Sequence, residues 1–158
     1  MKSSSTMLVL TLLLSVTPSI AHAQSDDKAT IDKFIAAQAA REHGEEPDGV
    51  RKTVEGDLNR DGVADTAVLY TIEGQNGSNN YIQYLAVFLR RNGKLVFTAK
   101  QAVGGKTRRE IGITSIANNA MLFDTTSYVP RDPACCPTIK GRTRFVLTGT
   151  KLVEKRAR

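Results

Sequence analysis

The sequence predicts an α+β domain, mostly β, in which an N-terminal helix packs on an antiparallel β-meander sheet. Three observations carry that reading. Ile31, Phe34, Ile35 and Ala39 recur at helical spacing. After Pro47 the pattern changes to runs rich in β-branched and aromatic residues, of which Tyr81 to Arg90 (YIQYLAVFLR) is the strongest. Tight-turn pairs then separate the later runs, with Asn92-Gly93 as the clearest hairpin signal.

The first residues have the three parts of a secretory signal peptide. Lys2 supplies the positive charge, Met7 to Val16 the apolar stretch, and Ala21-His22-Ala23 the small-x-small cleavage pattern after Pro18. Cleavage after Ala23 leaves Gln24 as the mature N-terminus. The apolar run is too short for an anchor, which needs about 20 apolar residues to span a bilayer. No cysteine follows the cut, so the pattern predicts no lipid attachment, and a single Lys without an Arg pair predicts the general secretory route. The expected destination is the periplasm or the medium of a bacterium, with no transmembrane segment after cleavage. The chain therefore divides into a signal peptide (1–23), a disordered mature N-terminus (24–27), one α+β domain (28–154) and a basic tail (155–158).

Within the domain, Asp26 or Asp27 is expected to cap a helix over 28–42, because a short carboxylate accepts the free N–H groups of the first turn. Gly44 and Pro47 stop it. Val50 to Glu55 and Thr66 to Glu73 read as strands, and Gln75 to Asn80 as a turn. Tyr81 to Arg90 and Leu95 to Val103 form a hairpin. Gly104-Gly105 turns the chain again. Ile111 to Ala117 and Ala120 to Tyr128 flank Asn118-Asn119 as a second hairpin. Arg144 to Thr148 and Lys151 to Val153 close the chain around Gly149.

The chain carries a net charge of +6. The basic excess sits at Arg90-Arg91, Lys106 to Arg109, Lys140 to Arg144 and the last four residues. They lie in turns and the tail without aromatic interleaving or a recognised motif, so no nucleic-acid partner is expected.

One segment carries chemistry. Gly56 to Asp65 reads GDLNRDGVAD, with side-chain oxygens at the alternate positions Asp57, Asn59 and Asp61 and again at Asp65. A hard cation such as calcium takes six to eight oxygens. Alternation can point those side chains inward while Gly62 permits a sharp turn. The Val63 carbonyl offers one more oxygen. Three carboxylates on one turn repel one another, which is a reason to expect a cation. The other reading is a polar turn in which Asp and Asn satisfy local backbone and bind nothing. Residues 56–70 resemble the calcium loops of FG-GAP and VCBS repeats, D-x-[DN]-x-D-G-x-x-D, which also lead straight into a strand. The first half is similar to an EF-hand loop, but Val68 stands where the bidentate Glu belongs and no second helix follows. The resemblance implies bound Ca2+ at Asp57, Asn59, Asp61, Val63 and Asp65.

Cys135 and Cys136 are the only cysteines. In an oxidising compartment they can pair with each other, pair between chains or stay free. The favoured reading is a disulfide between them, a rigid turn between Pro133 and Pro137. Two adjacent cysteines and two distant histidines do not make a zinc set. The segment Asp132 to Pro137 (DPACCP) resembles small exported bacterial proteins of the LppP/LprE lipoprotein type, although the lipidated cysteine is missing here. That likeness implies an exported domain and no catalytic mechanism.

No catalytic signature stands out. His43 reads as a solvated helix end. Asp124, Thr125, Thr126 and Ser127 sit at strand spacing and should alternate faces. Gly104-Gly105-Lys106-Thr107 mimics the end of a phosphate loop, but Lys100 occupies the place of its first glycine. The expected function is an exported, non-catalytic module with a calcium-binding loop, structural in role or binding an envelope or extracellular protein. The alternative is a secreted enzyme or enzyme inhibitor, which a concave pocket holding Asp124 or Glu73 with a shifted pKa would favour.

Overall fold

A computed structural model of the chain describes residues 20–133 and 135–156, with the backbone alone for 20–25. The charged and apolar parts of the expected signal peptide lie outside the described residues. Helix α1 spans Ile20–Glu42. Eight strands follow: β1 (Lys52–Gly56), β2 (Asp65–Glu73), β3 (Tyr81–Arg91), β4 (Lys94–Gly105), β5 (Arg109–Ala117), β6 (Ala120–Ser127), β7 (Ile139–Thr148) and β8 (Lys151–Arg156). They form one antiparallel meander in strict sequence order. The fold class is thus α+β and mostly β, with the helix preceding the sheet.

The sheet does not stay open. Only Gly105 and Arg109 pair across β4 and β5, and there the meander folds back on itself. Strand β1 comes to lie against β5, and β4 against β8. Strands β2 and β3 are consequently buried on both faces. Ala67, Leu69, Leu85 and Val87 point into a core shared with Met121, Phe123 and Phe145 of the second half. Val68, Tyr70, Ala86 and Phe88 point the other way, against Ile31, Ile35 and Ala39 of α1. The molecule has three layers where the sequence pattern suggested two. Runs such as AVLYTI, apolar at nearly every position, are what two-sided burial demands.

Helix α1 begins earlier than position 28. Residues 24–27, expected to be disordered, are helical, and neither Asp26 nor Asp27 is a cap. Asp27 instead pairs with Arg90 at the end of β3, Nη2 to Oδ2 2.6 Å, with both side chains largely buried. Arg51 anchors the other flank through Asp32 and a bidentate contact to Glu46. His43 ends the helix with φ +50° and is exposed, as expected for a helix terminus. Gly44 follows because a Cβ there would lie 2.6 Å from the Glu73 carbonyl oxygen.

Two strand limits also move outward. Strand β7 starts at Ile139, since Ser127 of β6 supplies a pairing partner that residues 139–143 do not advertise by alternation. Strand β8 takes in Lys155 and Arg156, assigned above to the tail, because Arg144 and Thr143 pair with them.

The fold-back has its own fastening. The Gln83 side chain acts as a substitute strand: its Oε1 accepts from Ile111 N at 3.0 Å and its Nε2 donates to Ile111 O at 3.2 Å. That amide links β3 directly to β5 beside Gly104, where a Cβ would come within 2.4 Å of Gln83 Oε1 and 2.9 Å of the Arg109 carbonyl. Replacing Gln83 by Ala strips both backbone groups of Ile111 of their partner. Urea denaturation should show a loss of about 2 kcal/mol. Gly104→Ala should cost about 1–3 kcal/mol through overpacking against backbone.

Candidate functional site

The β1–β2 connection holds the oxygen-rich segment. Asp57 Oδ1 accepts from Arg60 N at 2.6 Å and Oδ2 from Gly62 N at 3.0 Å. Asn59 Oδ1 accepts from Asp61 N at 2.9 Å, and Asp61 Oδ1 from Val63 N at 2.8 Å. Asn59 Nδ2 donates to Asp61 Oδ2 at 2.8 Å. Each side chain therefore turns the next stretch of backbone, and Arg60 and Gly62 supply the left-handed residues at φ +69° and +80°. Partial burial acts to raise the Asp57 carboxyl, but the N–H groups of Gly62, Arg60, Asp61 and Asn59 together hold it below the ordinary carboxylate range.

The loop is also clamped from outside. Asn119, in the β5–β6 turn, donates through Nδ2 to the Asp57 carbonyl at 2.8 Å and accepts from Arg60 Nε at 2.9 Å. Asn118 and Asn119 both have positive φ, which is what a two-residue hairpin of this kind requires.

Asp65 has another task. It is fully buried, its Oδ2 accepts from Leu58 N at 2.9 Å and its Oδ1 from Arg90 N at 2.9 Å. Its carboxylate thus ties both ends of the loop to the start of β2 and the end of β3. Backbone N–H groups thus face all three carboxylates, Asp57, Asp61 and Asp65. Among the described residues, no three His, Cys, Asp or Glu side chains are arranged to hold a metal. What the loop presents to solvent is two carboxylates, Asp57 and Asp61, the Asn59 amide and the exposed Val63. Asp65 does not join them, because both its oxygens are engaged by backbone N–H groups.

No family model, curated protein or solved structure matches the chain. Function must therefore be read from the sites themselves.

Cys135 and Cys136 are paired as a vicinal disulfide, and Cys136 N donates to Pro133 O at 2.9 Å. Asp132 closes the surrounding loop by accepting from Val129 N at 2.9 Å, Thr138 N at 3.0 Å and Thr138 Oγ1 at 2.9 Å. Only its place before a proline marks Asp132 in the sequence.

At the opposite end of the strands lies a groove of about 550 Å³, lined by Glu73, Tyr81, Glu110, Asp124 and Thr126 among others. Both acids named as discriminating residues thus share one concavity, and Glu110 joins them. Asp124 is exposed and contacts Arg142 at 3.2 Å. Burial, with Glu110 and Tyr128 beside it, pushes the Tyr81 hydroxyl up. Gly104 and Gly105, read as a turn, instead end β4, and Lys106 to Arg108 make the turn to β5, with Lys106 N donating to Tyr81 O at 3.1 Å. No helix among the described residues is long and apolar enough to cross a membrane.

Two outcomes follow from this geometry. Asp65→Asn places an amide N–H against a backbone N–H and should lower stability by about 3 kcal/mol whether or not calcium is present, measured by thermal or urea unfolding. Asp132 is held below its ordinary value of 3.8, first by the Val129 N–H and further by Thr138. A depressed carboxyl contributes its stabilisation above the unfolded value and loses it as pH falls through the folded one. The Val129 and Thr138 amide resonances should therefore hold still down to about pH 4 and move together below it.

Proposed function

We propose that this chain is an exported, non-catalytic module whose β1–β2 loop binds one calcium ion, with a structural role in presenting the molecule's surface to an envelope or extracellular partner. The observation that carries the reading is the loop itself. Half-buried Asp57 and exposed Asn59 and Asp61 stand at alternate positions, each already set by a local N–H, on a turn clamped to Asn119. Calcium needs such oxygens in a flexible shell and tolerates water for the rest. With Asp65 committed to backbone, Asp57, Asn59, Asp61 and the Val63 carbonyl form a partial set, and binding should be weak, in the range of extracellular modules, about 10⁻⁴–10⁻³ M.

A second reading, a secreted enzyme or enzyme inhibitor, draws on the groove that gathers Glu73, Glu110 and Asp124. It lacks a nucleophile paired with a base, and Asp124 already has Arg142 as its counter-ion.

Thermal unfolding in calcium and in calcium-free buffer tests the first reading. A ligand a hundredfold above its Kd adds about 2.7 kcal/mol, so saturating calcium should raise the melting temperature by several degrees. Magnesium should do less, since it demands a tighter octahedron. Asp61→Ala should remove the calcium response, while Asp48→Ala should keep it. An unmoved wild-type melting curve with no calorimetric heat would make the loop a plain polar turn.

A further inference from the structure

Four cations that the sequence scatters widely meet in one place. Arg60 of the β1–β2 loop, Arg91 at the end of β3, Arg144 of β7 and Lys155 of β8 line a cleft of about 600 Å³ between the two halves of the sheet. Buried Leu58 and Leu89 belong to the same lining, which contains no acidic side chain. Among the described residues none of the four cations has an ion-pair partner. The cations with partners are elsewhere: Arg51, Arg90, Arg109 and Arg142 each hold a carboxylate, and so does Lys28.

The register adds an independent sign. Arg144 and Lys155 are directly opposite each other on β7 and β8. Like charges placed so destabilise a strand pair. On β6 Arg144 faces Leu122, and the nearest carboxylate there, Asp124, is held by Arg142. The rim is polar and fixed: Asn118 and Asn119 line the cleft, and Asn119 holds Arg60 by its Nε, while the guanidinium Nη groups of Arg60 have no acceptor among the described residues.

We infer that this cleft is a binding site for a compact, multiply charged anion bearing phosphate or carboxylate groups. Guanidinium forks match those groups bidentately, and Lys155 adds a point charge. The volume exceeds what a single phosphate fills and suits a small organic polyanion. A bound anion would offset the Arg144–Lys155 repulsion that the free protein carries.

Isothermal titration with pyrophosphate tests the site, in calcium-free buffer prepared by resin, because soluble chelators are polyanions themselves. The same conditions keep the outcome separate from that of the calcium loop. One saturable site is expected, weakened about tenfold or more by Arg91→Gln combined with Arg144→Gln. Lys52→Gln combined with Lys140→Gln removes the same charge away from the cleft and should change affinity less than about twofold. Citrate in a parallel titration distinguishes the source: tighter pyrophosphate points to a phosphate ligand, tighter citrate to a carboxylate one. Pyrophosphate should also raise the melting temperature of the wild type and not that of the Arg91/Arg144 variant. No saturable heat up to about 10 mM, or equal weakening by both pairs of substitutions, would overturn the assignment.

Discussion

Strands β2 and β3 have no solvent face, and the rest of the architecture answers that constraint. Val68, Tyr70, Ala86 and Phe88 on one side and Leu69, Leu85 and Val87 on the other are all essentially inaccessible to water. A side chain of this kind contributes about 1.5–3 kcal/mol when fully buried. One helix can cover only one face. The other must be covered by the chain's remaining strands, and a meander in strict order can do so only by folding over. The bend falls at Gly104-Gly105, where one backbone pairing survives and Gln83 supplies the missing rungs.

Two-sided burial also explains the buried polar groups. The Tyr70 hydroxyl lies under the helix and donates to Gln38 Oε1; Gln38 Nε2 donates to Glu42 at 2.8 Å, and Glu42 accepts from the Tyr84 hydroxyl at 2.9 Å. Burial raises the Tyr70 and Tyr84 hydroxyls well above the ordinary phenol range, Tyr84 to about 12, so both remain donors at any physiological pH. An unmade bond in such a place costs about 1–3 kcal/mol. The network thus fixes the rotation and register of α1 more narrowly than Ile31 and Ile35 could by packing alone. Asp65 does the same for the loop end, with backbone donors in place of side chains.

Much of this was legible. All strands but β7 fall within three residues of the sequence expectation, because apolar runs and Asn-Gly or Asn-Asn turns report local backbone preference, whereas the first half of β7 has no such pattern. The helix core positions Ile31, Ile35 and Ala39 were read from period alone. Gln38 was missed although it shares their face, since a polar residue in an apolar stripe gives no sign of which partner satisfies it. The loop's Asx turns were readable from Asp57, Asn59 and Asp61, whereas the role of Asp65 depends on Arg90, a residue 25 positions away. The basic cleft was illegible for the same reason. Arg60, Arg91, Arg144 and Lys155 become neighbours only once the meander has folded over, and in sequence they look like turn and tail charges.

That folding also separates charge along the strands. The antiparallel order carries Asp65, Arg91 and Ala120 to one end and Glu73, Tyr81 and Asp124 to the other. Glu73, Glu110 and Asp124 collect in the groove at the second end, and Arg60, Arg91, Arg144 and Lys155 in the cleft toward the first. A strand of the length of β2 spans about 30 Å, several times the Debye length of about 8 Å at physiological salt. Glu73 and Arg91, at opposite ends, therefore act on a ligand independently, whereas Asp124 lines one groove with Arg144 and is held there by Arg142. Local charge does count at the cleft. Asp57 and Asp61 sit within one turn of Arg60, inside a Debye length, and draw down the positive potential at that rim. A divalent cation on those two carboxylates would reverse their effect, so the proposed calcium loop and the proposed anion cleft favour each other's ligand, and by thermodynamic reciprocity each does so by the same factor.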